Sequence, residues 1–322
     1  MRPFKTLGLL LLYVGIQVMA LALAFPFIHA GLQSASSPNS VTSIIPLVIV
    51  IILVPVFIII LAKNAPDSLS ALKLLMVGVI CMSLVITLQA AFYMLLPPPY
   101  VFESGIPLDF SMPLATLVAS ISFLLLMMEP QWYIVDAVGF LAGGSLTAIL
   151  GIFLGILPVL IFLIILMAYD AIAVYGTKHM LSLADVVSDM KLPILMVMPS
   201  EASFDYTSSG SLKDHRETVH EHPEDREALF MGLGDAVIPG ILVVSSFVFL
   251  SSSTKYLGIG ANLLVALGAM AGSLVGYAFL MRLVAKGNAQ AGLPFLNGGA
   301  IAGFALSYIA LYHSFTFGIV IP

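Results

Sequence analysis

Runs of about twenty consecutive apolar residues recur nine times along this chain, and no other feature restricts its fold as strongly. A helix of that length crosses the roughly 30 Å hydrocarbon core of a bilayer. Backbone groups find no partners in lipid, so a spanning segment must satisfy them internally, which a helix does. The runs lie near 7–30, 42–62, 69–96, 108–128, 132–149, 152–175, 230–252, 257–281 and 294–316. The first is too long for the roughly 7–15-residue core of a cleaved signal peptide, so it reads as the first span. From Trp132 to Tyr175 the chain is apolar almost without interruption, broken only by Gly143-Gly144-Ser145 and Gly151. That stretch suits two spans joined by a very tight turn. The composition, 60% hydrophobic and 9% charged, departs from the roughly 25% charge of a soluble domain in the same direction.

Positive charge orients the spans, because cytoplasmic loops retain Lys and Arg. With the N-terminus inside, Arg2, Lys5, Lys63, Lys73, Lys178, Lys191, Lys213, Arg216, Arg226, Arg282 and Lys286 all fall inside, and only Lys255 outside. The expected fold is therefore an all-α polytopic membrane protein with nine transmembrane helices, N-in and C-out. It divides into spans 1–6 over 1–175, a cytoplasmic polar loop over 176–229, and spans 7–9 over 230–322. The loop holds 15 of the 29 charged residues within 176–228, and Thr207–Ser211 reads as flexible. Inside it, an apolar run bracketed by prolines predicts a short edge strand at Ile194, Leu195, Met196 and Val197.

Several function classes drop out. A net charge of −5 offers no basic surface for nucleic acid. Cys81 is the one cysteine, so no intrachain disulfide forms, and it reads as a core residue. His215, His220 and His222 sit among Glu217, Glu221, Glu224 and Asp225, a solvated polar stretch, not a metal site. No cofactor or metal motif is present.

The charges inside the apolar runs carry the functional signal. An aspartate near the centre of a spanning helix costs about 2.5–3.5 kcal/mol on insertion scales, which makes it a functional candidate. Asp170 lies five residues before Tyr175 at the end of span 6, and Asp235 five residues after Phe230 at the start of span 7. Opposite travel brings them to one depth, roughly 8 Å below the boundary at 1.5 Å per residue. Asp136 lies at similar depth in span 5, where an interfacial anchoring or packing role is the simpler reading.

Tyr169-Asp170 on span 6, Gly232-Leu233-Gly234-Asp235 on span 7 and Pro294-Phe295-Leu296 at the start of span 9 resemble the motifs of the presenilin and signal peptide peptidase family of intramembrane aspartyl proteases. Nine spans and a large polar loop between spans 6 and 7 match that family's architecture. The third motif departs from it, with Phe295 where the family has alanine. The glycines of Asn297-Gly298-Gly299 could compensate through close helix packing. The N-in orientation resembles the presenilin side of the family, of the archaeal type.

The resemblance implies an aspartic endopeptidase that uses Asp170 and Asp235 with water to cut single-span membrane protein substrates inside the lipid bilayer, without cofactor. Tyr169, Gly232, Gly234, Pro294, Phe295 and Leu296 would support the pair. The strand would pair with an unwound substrate backbone by β-augmentation. A homo-oligomer is left open, and the cell membrane is the expected location. The alternatives are a transporter or ion channel with the aspartates as cation or proton sites, a type IV prepilin peptidase-like enzyme, and a catalytically silent scaffold. A transporter would normally show internal repeats, and none is evident.

Overall fold

The computed structural model describes residues 3–29, 39–64, 69–96, 109–176, 228–256, 258–284 and 290–319, together with 192, 194–199, 201, 204 and 206. Thr207–Ser211, His215, His220 and His222 lie outside the described residues.

The described residues form nine α-helices: α1 (Pro3–His29), α2 (Ile45–Asn64), α3 (Leu69–Leu95), α4 (Ser111–Met128), α5 (Trp132–Phe153), α6 (Ile156–Ala171), α7 (Leu233–Phe249), α8 (Ala261–Val284) and α9 (Leu293–Tyr312). Eight are long and apolar enough to cross a membrane, counting the turns that extend α2 and α6. The ninth, α7, is apolar but only 17 residues long. Leucines, isoleucines, valines and phenylalanines stand exposed along α1, α2, α3 and α4. An apolar exterior on that scale fits a bilayer and not water. The chain is a multi-pass integral membrane protein.

The apolar stretch from Trp132 does split in two, about four residues later than the expected turn at 150–151. The turn is at Leu154-Gly155. Gly143 and Gly144 sit inside α5, where a Cβ would press on Leu233 of α7 and Met19 of α1, so the small residues are contact points rather than breaks. Buried polar pairs tie neighbours together: Thr87 of α3 donates to Ser145 of α5 at 2.7 Å, and Ser245 of α7 donates to the Leu154 carbonyl at 2.9 Å.

The predicted start of span 7 is corrected. Residues Ala228–Gly232 are a strand, β2, antiparallel to β1 (Leu195–Pro199), and α7 begins only at Leu233. β1 itself starts one residue later and ends two later than expected, with Pro199 at its end, where a missing donor is tolerated. The register pairs Leu195 with Gly232, Met196 with Met231 and Val197 with Phe230. The Leu233 amide donates to the Ile194 carbonyl at 2.7 Å. In the antiparallel alternation, Met196 and Met231 therefore bond across the ladder, while the backbone groups of Leu195, Val197 and Gly232 face away from it. The side chains of Met196, Leu229 and Met231 pack with α1 and α8, whereas Val197, Ala228 and Phe230 pack with α3 and α5. The hairpin is wedged between two helix groups. A second ribbon, β3 (Lys255–Tyr256) with β4 (Ile259–Gly260), turns through Gly258 at φ 83° and takes the place of the expected first residues of span 8.

Helices α8 and α9 approach more closely than side chains would permit. A Cβ on Gly272 would collide with the Gly299 carbonyl oxygen, and one on Gly276 with the Phe295 carbonyl oxygen. The expected close packing at Gly299 is present.

Candidate active site

Asp170 is the penultimate residue of α6 and is buried; a single π-helical turn, Ile172–Gly176, follows. Asp235 is the third residue of α7 and is half-buried. Because β2 is extended, Asp235 stands in the first helical turn, not five helical residues into a span.

The two carboxylates meet at the segment leading into α9. The Leu293 amide donates to Asp170 Oδ2 at 3.0 Å, and the Gly292 amide faces the same carboxylate. The point that a Cβ on Gly292 would occupy is 3.0 Å from Asp235 Oδ2 and 3.2 Å from its Cγ and Oδ1. One two-residue step, Gly292–Leu293, thus touches the acid of α6 with its amides and the acid of α7 with its bare Cα.

The segment is held in place from both sides. Tyr175, in the π-helical turn, donates its hydroxyl hydrogen to Gln290 Oε1 at 2.9 Å and accepts the Ala291 amide at 3.2 Å. Asn297, one turn into α9, donates to the Leu163 carbonyl of α6 at 3.2 Å. Pro294 occupies the first turn of α9, where its missing donor is harmless. Leu296 is fully buried, and Phe295 packs beside it into the cluster formed by α1, α8 and the hairpin. It is the backbone just before Pro294-Phe295-Leu296 that reaches the acids. The phenylalanine in place of alanine is accommodated away from that contact.

Gly232 and Gly234 are not required by packing. A Cβ on Gly232 would lie 3.5 Å from Asp235 Oδ2, and one on Gly234 would lie 3.8 Å from Ile238, both ordinary contacts. Gly232 has φ −63°, which any residue adopts. The surface beside Asp235 is therefore low without being strained. Pro239 sits four residues after Asp235 within α7. Proline has no amide hydrogen, so the Asp235 carbonyl lacks its helical donor. Tyr169 is half-buried and immediately precedes Asp170 on α6.

Asp136 is kept apart from this site. It is buried in the first turns of α5, and its Oδ1 accepts the Val197 amide at 2.8 Å. Sequence reasoning also passed over Gly292, Tyr175 and Gln290; a glycine directly before the Leu-Pro start of a spanning helix was the available signal for the first. Among the described residues, no group of three or more His, Cys, Asp or Glu could hold a metal ion.

The family model for signal-peptide peptidase, presenilin aspartyl protease matches residues 10–312. Comparison with curated proteins finds no match. Among solved structures, a presenilin family intramembrane aspartate protease in a C222 crystal form is 30% identical, over 95% of this chain and 99% of that one, with a TM-score of 0.64. The P2 crystal form of such a protease is 31% identical over 96% and 99%, with a TM-score of 0.62.

Proposed function

This chain belongs to the signal-peptide peptidase and presenilin family of aspartyl proteases, and on that premise we propose that Asp170 and Asp235 together hydrolyse peptide bonds of single-span membrane proteins within the bilayer. The observation that carries the pairing is the convergence of both carboxylates on Gly292–Leu293.

Two carboxylates that converge on one two-residue step can share one proton between them. The ionised member takes a proton from a water molecule, whose oxygen attacks the scissile carbonyl carbon. The protonated member donates a hydrogen bond to the carbonyl oxygen and stabilises the tetrahedral intermediate. Collapse breaks the C–N bond, and the leaving amine carries away a proton. The Leu293 amide orients Asp170. The low surface at Gly232 and Gly234 admits a substrate backbone to Asp235.

A substrate helix must unwind to expose its peptide bond, and its freed backbone groups then need partners. The hairpin supplies them. Strand β1, through Ile194–Val197, is the partner, with the Leu195 backbone on its outer edge while the Val197 amide is engaged by Asp136. Strand β2 ends at Gly232, three residues before Asp235, so a backbone docked on the hairpin lies next to the acids.

All nine helices cross, N-in and C-out, in the cell membrane. Seventeen residues place α7 at the short limit of the roughly 17–25 needed. The starts of α1, α5, α7 and α9 and the ends of α6 and α8 share the hairpin's side, as strict alternation requires. This rests on the contacts Tyr277–Thr6, Asp136–Val197, Leu233–Ile194 and Leu293–Asp170.

Cleavage of a reporter single-span substrate in detergent tests the reading. Asp170→Asn and Asp235→Asn should each fall below a few per cent of wild-type turnover while still purifying as folded protein, because a proton-sharing pair has no spare member. Substantial turnover by either variant rejects the dyad.

A further inference from the structure

We propose that Asp136 is a positioning residue of the protease, an anchor on α5 that fixes the hairpin and, through it, the Gly232–Asp235 junction. The proposal rests on the proteolytic reading above and extends it to a carboxylate outside the dyad.

The Asp136 side chain is buried at the start of α5, and its Oδ1 receives the Val197 amide at 2.8 Å. Val197 is not bonded across the ladder, because the Leu233–Ile194 bond fixes the alternation and puts the Val197 amide on the outer edge of β1. A buried amide on that edge requires a partner. Asp136 supplies the acceptor from a helix 61 residues away in sequence.

The consequence runs along the chain. Val197 lies opposite Phe230, and Leu195 opposite Gly232, which is the N-terminal cap of α7. Asp235 follows three residues later. A strand held by its ladder to β2 alone could slip or tilt with it. Held also to α5, it has one register against the helix bundle, so the Asp235 backbone starts from a fixed point.

Asn keeps a carbonyl oxygen at the same place, whereas Leu removes the acceptor at similar size. Asp136→Asn should retain most wild-type cleavage. Asp136→Leu should lose roughly tenfold or more in kcat/KM, the loss expected from a buried amide left unsatisfied. Val197→Pro removes the donor without touching the ladder, so it should give a similar loss. Combining it with Asp136→Leu should add little, since both delete one bond. Hydrogen exchange of 194–199 and 228–233 should accelerate in Asp136→Leu and Val197→Pro but not in Asp136→Asn. Binding of a small transition-state analogue that contacts only the dyad should persist.

Exchange and cleavage both unchanged in Asp136→Leu would overturn the proposal, and so would faster exchange with unchanged cleavage. Equal loss in Asp136→Asn and Asp136→Leu would also overturn it, since that outcome requires the charge and not the acceptor. If Asp136→Leu does not fold, Val197→Pro decides by the same criteria. A wild-type protein that cleaves nothing would reject the proteolytic reading, and exchange would still report on the anchor.

Discussion

Replacing Gly292 by alanine separates catalysis from stability. The backbone there has φ −79° and ψ −46°, which alanine adopts freely. On conformational entropy alone, Gly→Ala at such a site stabilises by about 0.4–1 kcal/mol. The new methyl carbon, however, would lie 3.0 Å from Asp235 Oδ2 and 3.2 Å from its Cγ, so the carboxylate must shift by a few tenths of an ångström. Misplacing a reacting group by 1 Å can cost about a hundredfold, so the shift scales to a loss of roughly three- to tenfold in kcat/KM. In free energy that is about 0.6–1.4 kcal/mol of transition-state stabilisation. Steady-state cleavage of a single-span reporter in detergent, with Tm measured on the same preparation, reads both quantities. The expected result is reduced turnover at an unchanged or slightly raised Tm. Full activity would show that Gly292 does not press on Asp235. A parallel fall in Tm would show that the glycine serves packing instead.

Tyr175→Phe deletes the hydroxyl that both bonds Gln290 and accepts the Ala291 amide. At about 0.5–1.5 kcal/mol per bond it should lower Tm by a few degrees and turnover a few-fold, and unchanged turnover would remove Tyr175 from the site. Gly272→Leu drives a side chain into the Gly299 backbone, whereas Gly78→Leu meets nothing within 4 Å. The former should destabilise by about 3 kcal/mol in detergent unfolding and the latter should be neutral, so similar Tm values would contradict the close α8–α9 contact.

The proposed catalytic aspartates were legible because a carboxylate in an apolar run is conspicuous and expensive. Their meeting point was not. Gly292 carries no side chain to signal its role, and Tyr175 reads as one more interfacial aromatic. Strand β2 was hidden because Ala228–Gly232 is apolar and runs directly into α7, so hydropathy continues while backbone geometry changes. β1 was visible through its flanking prolines, yet its partner lies about thirty residues on, across a polar segment, and register cannot be read over that distance. The glycines of α5 looked like a break because glycine usually marks one in soluble helices, whereas in membranes it often marks contact. Asp136 reads from sequence as an interfacial anchor or packing partner, and only its neighbour at Val197 specifies the bond it makes.

The backbone contact between α8 and α9 also has a mechanical consequence. With glycine carbonyls seated against opposing Cα atoms at several levels, neither helix can slide past the other without steric overlap, so the two behave as one stiff strut. The Leu293 amide that bonds Asp170 is the first residue of that strut. Any displacement of α8 is therefore transmitted to the Leu293 end of α9 rather than absorbed between them.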